Sequence, residues 1–337
     1  MFNSFYIMEC IDLLIEPLLQ HLWGQLLFIV IGCVLLVKGA DWLVAGASDL
    51  ARRWGVSNLI IGLTIVAFGT SMPEFAVNMF SAIKGNTDLA LTNILGSNMI
   101  NILIILGCTA LVCPVAAQKG LRDTNIWLGA GAALLVLAFA TIGQSDAISR
   151  FEGIILLAIF IVFLIWNLKH AKDNATTNDN GTQLPPMPVW QAILLTLIGL
   201  VCLIVGGDSI VDGASALARS FGVSDAIIGL TIVALGTSLP ELVTSVVAAT
   251  KKNTDLALGN VLGSNIFNVF FVLGTSAVIT PLPAYDGLIF DALVTALGSV
   301  MVLVFVAVDK EKKIRWWGGL LMLLIYAIYL THRLMTL

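Results

Sequence analysis

Two glutamates lie inside long apolar stretches of this sequence, each in almost the same six-residue motif. Residues 69–74 read GTSMPE and residues 236–241 read GTSLPE. A proline inside a helix removes one backbone hydrogen bond and crowds the carbonyl one turn earlier. We therefore expect a kink with freed carbonyl oxygens beside a carboxylate and hydroxyls. In an apolar medium such oxygens are costly unless a cation occupies them, and the motif predicts a cation site.

A second pair of polar motifs follows the glutamates along the chain. Residues 96–101 read GSNMIN and residues 263–268 read GSNIFN. The serine and the last asparagine of each motif are spaced i and i+4, so their side chains share a helical face. The glycine of each motif is expected to allow a close helix approach. The two motif pairs supply the predicted ligands Glu74, Glu241, Thr70, Thr237, Ser71, Ser238, Ser97, Ser264, Asn101 and Asn268.

Every side chain in this set offers a hard oxygen, which suits alkali and alkaline-earth cations. Ca²⁺ takes roughly six to eight oxygens in flexible geometry, whereas Mg²⁺ holds its water too tightly for an all-protein cage. Two carboxylates balance one divalent charge, and several Na⁺ ions could use the same oxygens in place of one Ca²⁺. A lone serine or threonine in a membrane helix usually bonds to its own helix, but ionisable residues there are functional by default.

The composition places these motifs in a lipid bilayer. Of 337 residues, 58% are hydrophobic and only 11% are charged, against about 25% charged residues in soluble domains. The five cysteines are scattered, so neither a zinc site nor a disulfide framework is expected. No nucleophile–base pair, phosphate loop or cofactor motif occurs, which argues against an enzyme or a resident cofactor. The bilayer is the expected partner, with no nucleic acid or obligate protein partner indicated.

Ten stretches are long and apolar enough to cross the bilayer as helices. Their continuity differs from the alternating pattern of β-barrel strands, so we predict an all-α membrane protein with ten transmembrane helices. A polar stretch at 169–189 is a linker between the fifth and sixth spans. The predicted spans are roughly residues 22–45, 58–82, 91–113, 124–142, 151–168, 190–212, 225–249, 258–280, 287–308 and 315–333.

The basic residues predict which side of the membrane each loop occupies. Twelve Lys and Arg residues lie in the loops after spans 1, 3, 5, 7 and 9, and four lie on the opposite side. Because loops rich in Lys and Arg stay in the cytoplasm, both termini are predicted outside the cytoplasm. The 169–189 linker is predicted inside.

An internal repeat organises the spans. At an offset of 167 residues, 60–107 aligns with 227–274 without a gap, and 29 of the 48 positions are identical. The match extends more weakly to Asp41 and Asp208. We expect these two aspartates chiefly to cap or pair at helix ends, with ion guidance at an entrance as the alternative.

The number of spans in each half makes the repeat an inverted one. The first half, 1–168, and the second half, 190–337, carry five spans each. Because five is odd, the second half must enter the membrane upside down, as in many secondary transporters whose site lies at the midplane. A duplication without transport would mostly keep small packing residues, whereas this one keeps polar oxygens inside apolar runs.

The paired GTSxPE and GSNxxN segments resemble the α-repeats of sodium/calcium exchangers, within the calcium/cation antiporter superfamily. The resemblance covers nearly the whole chain, with α-repeats at about 58–113 and 225–280, and implies a compact prokaryotic member. It implies that Glu74 and Glu241 are central carboxylates shared by Ca²⁺ and Na⁺, flanked by the Thr and Ser ligands. The backbone carbonyls of Ala67 and Ala234 are weaker candidates.

The resemblance also implies a function, namely exchange of Na⁺ for Ca²⁺ by alternating access in the inner membrane of a prokaryote. Asn101 and Asn268 occupy a family position that carries Asn or Asp depending on the branch. Asn in both halves favours potassium independence. Helices 1 and 6 are expected to slide against a core of helices 2, 3, 7 and 8. A proton-coupled Ca²⁺ antiporter on the same fold and a cation channel remain as alternatives.

Overall fold

A computed structural model describes residues 17–116, 121–142, 146–170, 187–223 and 228–336. The chain is almost entirely helical there. Within these residues eight helices are long and apolar enough to cross a membrane, and one bent helix pair supplies a ninth span. The prediction of ten is therefore not reproduced by helix length alone, since the seventh predicted span begins outside the described residues and continues as two short segments.

The helices are numbered here in chain order. They are α1 Leu22–Trp54, α2 Asn58–Thr70, α3 Met72–Ile83, α4 Thr87–Val112, α5 Leu121–Ile142, α6 Arg150–His170, α7 Val189–Ser220, α8 Gly229–Val233 continued by Ala234–Gly236, α9 Leu239–Thr250, α10 Thr254–Ile279, α11 Leu288–Val308 and α12 Trp316–Thr336. Helices α2, α4 and α10 each contain a π-helical turn, and α8 begins with one. The 171–186 part of the predicted linker lies outside the described residues.

The predicted kink is present where α2 meets α3. The two helices meet at 48°, and Ser71 between them has φ −85° and ψ 10°. Pro73 falls in the first turn of α3, where a missing backbone N–H costs nothing because no helical partner exists. Pro240 takes the same position in α9. Each break gives the following helix a free N-terminus inside the apolar region.

Helices α4 and α10 form the centre of the molecule. Their apolar segments are 78% and 94% buried, whereas that of α12 is 17% buried. The outer helices α1, α6, α7 and α12 carry many exposed large apolar side chains, as expected for surfaces that face lipid. The motif helices α4 and α10 are therefore far more buried than these outer helices.

Helices α1 and α7 pack closely along their glycines. A Cβ built on Gly32 would lie 2.6 Å from the Gly206 carbonyl oxygen, and one on Gly39 would lie 2.8 Å from that of Gly199. Residue numbers rise along α1 as they fall along α7, so the two helices are antiparallel. Small residues at this spacing let the two backbones touch, and the pair forms one unit.

The close approach predicted for the GSN glycines is confirmed at Gly263. A Cβ on Gly263 of α10 would lie 2.7 Å from Leu63 of α2, whereas no described atom lies within 4 Å of the same point on Gly96. The backbone of α2 lies directly against α10, and nothing described occupies the equivalent place against α4.

Two short antiparallel strand pairs modify the all-α prediction. β1 (Val115–Ala116) pairs with β4 (Lys313–Ile314), and β2 (Asp146–Ile148) pairs with β3 (Leu282–Pro283). Each pair joins a loop of the first half to a loop of the second, and it satisfies backbone groups that a short loop leaves unpaired.

Candidate ion-binding site

The two motif glutamates sit in the first turns of the half-helices that follow the breaks. Glu74 is the third residue of α3 and Glu241 the third residue of α9, and each is 1% exposed. The N-terminus of a helix carries a partial positive charge and favours an anionic side chain. The breaks therefore place two carboxylates where the local backbone supports negative charge.

Serine hydroxyls connect each glutamate to the opposite half of the chain. Ser71 Oγ donates to Glu241 Oε1 at 2.8 Å, and Ser238 Oγ donates to Glu74 Oε1 at 3.2 Å. These two bonds are repeat mates of each other. The structure thus brings together the two breaks, which are far apart in sequence.

A second serine contacts each carboxylate from within its own half. Ser97 Oγ lies 3.4 Å from Glu74 Oε1, and Ser264 Oγ lies 3.4 Å from Glu241 Oε1. Both serines therefore lie beside the carboxylate of their own half. The other oxygen, Oε2, of each glutamate is buried and has no hydrogen-bond partner among the described residues.

The predicted asparagines form a reciprocal network between α4 and α10. Asn101 Nδ2 donates to Asn265 Oδ1 at 2.9 Å, and Asn268 Nδ2 donates to Asn98 Oδ1 at 3.2 Å. These bonds use the amide nitrogens of Asn101 and Asn268. Their amide oxygens remain buried without a partner in the described part of the chain, so both offer unused acceptors.

The two threonines, which are repeat mates, have different surroundings. The Thr70 hydroxyl faces Asn260 Oδ1 at 3.2 Å and Ala67 O at 3.4 Å. The Ala67 carbonyl also accepts the Ser71 N–H at 3.0 Å, so it is already engaged. The buried Thr237 hydroxyl has no partner among the described residues. Ala234 begins the last turn of α8, three residues before Thr237.

A further pair of asparagines supports the site, and the sequence analysis did not include it. Asn260 Nδ2 donates to the Glu241 backbone carbonyl at 3.3 Å and to Ser245 Oγ at 3.0 Å. Its mate Asn93 donates to Asn78 Oδ1 at 2.6 Å and lies 3.5 Å from the Glu74 carbonyl. Their identity across the repeat, inside apolar runs, is the signal that would have found them.

The unused acceptors define what the site can bind. Buried acceptors without a partner are rare because each costs free energy, and a bound cation would satisfy them. All are hard oxygens, which suit Na⁺ or Ca²⁺ better than a transition metal. The acceptors are Glu74 Oε2, Glu241 Oε2, Asn101 Oδ1, Asn268 Oδ1 and Thr237 Oγ1.

Comparison with protein families identifies the family of this chain. The family model for sodium/calcium exchanger protein matches residues 24–169 and 191–335, nearly the whole of the chain. The chain belongs to the sodium/calcium exchanger family. It is therefore a membrane antiporter, and the family expected from the GTSxPE and GSNxxN motifs is confirmed.

Individual relatives of this exchanger cover most of its length. It is 42% identical over 260 residues to the putative antiporter CaxA of Alkalimonas amylolytica, covering 76% of this chain and 81% of that protein. It is 30% identical over 342 residues to the sodium/calcium exchanger MaX1 of Methanosarcina acetivorans, covering 90% and 97%. A solved structure of the sodium-calcium exchanger NCX_Mj, soaked with 10 mM Na⁺ and zero Ca²⁺, matches with a TM-score of 0.80 and 32% identity, covering 92% and 99%.

Proposed function

We propose that this exchanger moves Na⁺ and Ca²⁺ in opposite directions through the site between Glu74 and Glu241. The observation that carries the proposal is the reciprocal serine–glutamate pairing, which leaves one buried oxygen of each carboxylate without a partner among the described residues. Two carboxylates neutralise one Ca²⁺, and several Na⁺ ions can replace it on the same oxygens. The relatives named as sodium/calcium exchangers support Na⁺ and Ca²⁺ as the transported ions.

The ligand set follows from the same contacts. The carboxylates form the centre, with Ser71, Ser238 and Thr237 beside them as hydroxyl ligands. Ser97 and Ser264 extend the set along α4 and α10, and Asn101 and Asn268 offer their amide oxygens. The Thr70 hydroxyl donates to its present acceptors but keeps oxygen lone pairs for an ion, and the Ala67 carbonyl likewise has a second lone pair. The Ala234 carbonyl is the corresponding ligand in the second half.

Strand pairing supports ten spans. Strands β1 and β4 lie side by side, so an even number of membrane crossings must separate them. Five long helices lie between them, namely α5, α6, α7, α10 and α11, and α8–α9 has to supply the sixth crossing. The β2–β3 pair also requires α8–α9 to cross the membrane. Only three long helices, α6, α7 and α10, otherwise lie between those strands, and an even number is needed.

The inverted repeat then follows from five spans in each half. Its support is the antiparallel packing of the repeat mates α1 and α7. The strand pairs also match the predicted sides, because β1 and β4 fall in loops predicted cytoplasmic while β2 and β3 fall in loops predicted external. We infer a prokaryotic inner-membrane protein with both termini outside and the 169–189 linker in the cytoplasm.

Transport is proposed to proceed by alternating access, with α1 and α7 moving as one unit against α2–α4 and α8–α10. An ion shifts a conformational equilibrium only through unequal affinity for the two states. Two uncompensated carboxylates are costly to carry through lipid, so the empty site resists the switch and the occupied site permits it. This rule couples the two ion fluxes without any enzymatic step or cofactor.

Proton coupling is the second candidate, because two adjacent buried carboxylates without a basic partner among the described residues can also be neutralised by protons. The unused amide and hydroxyl oxygens favour Na⁺, since protons do not need them. A channel would instead give a fast flux that does not depend on the ion on the opposite side of the membrane.

The experiment is uptake of radioactive Ca²⁺ by purified exchanger in proteoliposomes, driven in turn by an outward gradient of Na⁺, H⁺ or K⁺. The proposal expects uptake with the Na⁺ gradient and none with the H⁺ or K⁺ gradient alone. Uptake driven by H⁺ without Na⁺ would establish the proton antiporter instead. Rapid Ca²⁺ entry without any counter-gradient would establish a channel.

A further inference from the structure

Two polar contacts fasten α1 to the turn that follows α9. Lys251 Nζ pairs with Asp41 Oδ1 at 2.8 Å, and Asn253 Nδ2 donates to Ser48 Oγ at 3.0 Å. Asp41 and Ser48 lie two turns apart on α1, while Lys251 and Asn253 flank one tight turn of the second half. We name this four-residue cluster the first latch.

All four residues of the first latch have identical mates at the repeat offset of 167. The mates are Asp208 and Ser215 on α7, and Lys84 and Asn86 in the turn after α3. We name this cluster the second latch. Asp208 and Lys84 form no ion pair among the described residues, and the buried Ser215 hydroxyl has no partner there. The sequence thus carries two latches, and this structure closes only the first.

The lysine of the second latch follows a variable segment, whereas Asn86 begins a run, 86–91, that is identical to 253–258. In the nine positions before Lys84, 75–83, only Ala82 is identical to its mate in 242–250. The lysine and asparagine are nevertheless kept in both turns. A static helix-end ion pair would explain Lys251 and Asp41 alone. It gives no reason to keep Lys84 and Asp208, which form no ion pair with any described residue.

Contacts nearer the ion site also differ between the end that carries the first latch and the end that carries the second. On the side of the first latch, α2 lies against α10 at Gly263, and the Thr70 hydroxyl faces Asn260. On the other side, no described atom lies within 4 Å of a Cβ built on Gly96, and the Thr237 hydroxyl has no partner among the described residues. Among the described residues, the site therefore has more close contacts toward the Lys251 end than toward the Lys84 end.

We propose that the two latches close alternately during exchange, the first in the state seen here and the second in the opposite state. Because α1 and α7 form one unit, a movement that closes Asp208 onto Lys84 withdraws Asp41 from Lys251. Each latch stabilises the state in which its own end of the pathway is shut. This inference rests on the proposed exchange of Na⁺ for Ca²⁺.

The test compares Lys251→Met with Lys84→Met in right-side-out and inside-out vesicles. Apparent Ca²⁺ affinity falls with the population of the state that can bind from that side. A half-exposed ion pair shifts such a population by about two- to five-fold. We expect Lys251→Met to weaken affinity by this factor from the Lys84 side and to strengthen it from the Lys251 side. Lys84→Met should shift both in the opposite directions, and the double variant should return toward the parent values.

Two further variants separate a latch from a general effect of charge. Lys252→Met removes an adjacent positive charge that makes no ion pair among the described residues, and it should shift neither affinity. The charge reversal Asp41→Lys combined with Lys251→Asp should restore the parent affinities, while each reversal alone should act like Lys251→Met.

Equal shifts of the same sign in Lys251→Met and Lys84→Met would overturn the proposal, as would no shift in either. An effect of Lys252→Met as large as that of Lys251→Met would also overturn it. Na⁺-driven Ca²⁺ uptake by the parent protein is measured first in the same vesicles. Its absence would refute the proposed function, whereas its presence with parallel shifts would refute the latches alone.

Discussion

At the centre of this exchanger, Ser71 of the first half bonds Glu241 of the second, and Ser238 returns the equivalent bond to Glu74. At the helix ends the repeat-related contacts differ. Asp41 pairs with Lys251, whereas Asp208 and Lys84 form no ion pair among the described residues. The centre thus follows the internal symmetry and the ends depart from it.

This difference has a physical reason in a protein that must bind the same ions from both sides. Ligands at the centre serve both states, so related residues can keep equivalent contacts throughout. Contacts at the ends differ between the two states, because the end that admits ions must be open while the other end stays closed to prevent a leak. A two-fold repeat supplies both states from one set of contacts, each used in turn.

The central symmetry predicts that Ser71→Ala and Ser238→Ala have nearly equal effects. Each removes one hydroxyl bonded to the opposite carboxylate, and a hydrogen bond to a charged group contributes about 1.5–3 kcal/mol. We expect each variant to weaken Ca²⁺ binding by roughly ten-fold or more. Calorimetric titration of the purified variants with Ca²⁺ measures this effect. A ten-fold difference in Ca²⁺ affinity between the two variants would contradict the central symmetry, since it would mean that one carboxylate contributes most of the binding free energy.

A smaller and unequal effect is expected at the supporting asparagines. Asn260 is fully buried and contacts Glu241, Ser245 and the Thr70 hydroxyl, whereas Asn93 is only half-buried. Asn260→Ala leaves more buried polar groups unpaired, so it should destabilise the ion-free protein by about 1 kcal/mol more than Asn93→Ala. Thermal unfolding in detergent provides the measurement, with Asn93→Ala as the matched control. Equal losses of stability would show that the different surroundings of Thr70 and Thr237 do not affect the free energy of unfolding.

Much of the site was predictable because its residues carry strong local signals. A proline before a glutamate in an apolar run predicts a helix break, and the break at Ser71 is present with Glu74 in the first turn after it. The repeat offset predicts which residues act together, and the contacts of Ser71 and Ser238 with the opposite glutamates fit that pairing. The family follows from the same motifs.

The remaining features depend on how the two halves pack, which local patterns do not encode. Gly96 and Gly263 have equivalent sequence contexts, yet α2 lies close to Gly263 and no described atom lies within 4 Å of a Cβ built on Gly96. The strands β1 to β4 are too short to give an alternating pattern. The pairing of Asp41 with Lys251 fits the predicted helix-end role, but its partner lies 210 residues away.

The most direct test of the account is calorimetric titration of the ion-free exchanger with Ca²⁺, with and without Na⁺, for the parent protein, Glu74→Gln and Glu241→Gln. Both substitutions keep the side-chain shape and remove one charge, and breaking a buried charge pair costs about 3–5 kcal/mol. The account predicts one Ca²⁺ site per chain, weakened by Na⁺ in the parent and lost in both variants. Ca²⁺ binding that survives in either variant, or that Na⁺ leaves unchanged, would contradict a site shared between the two carboxylates.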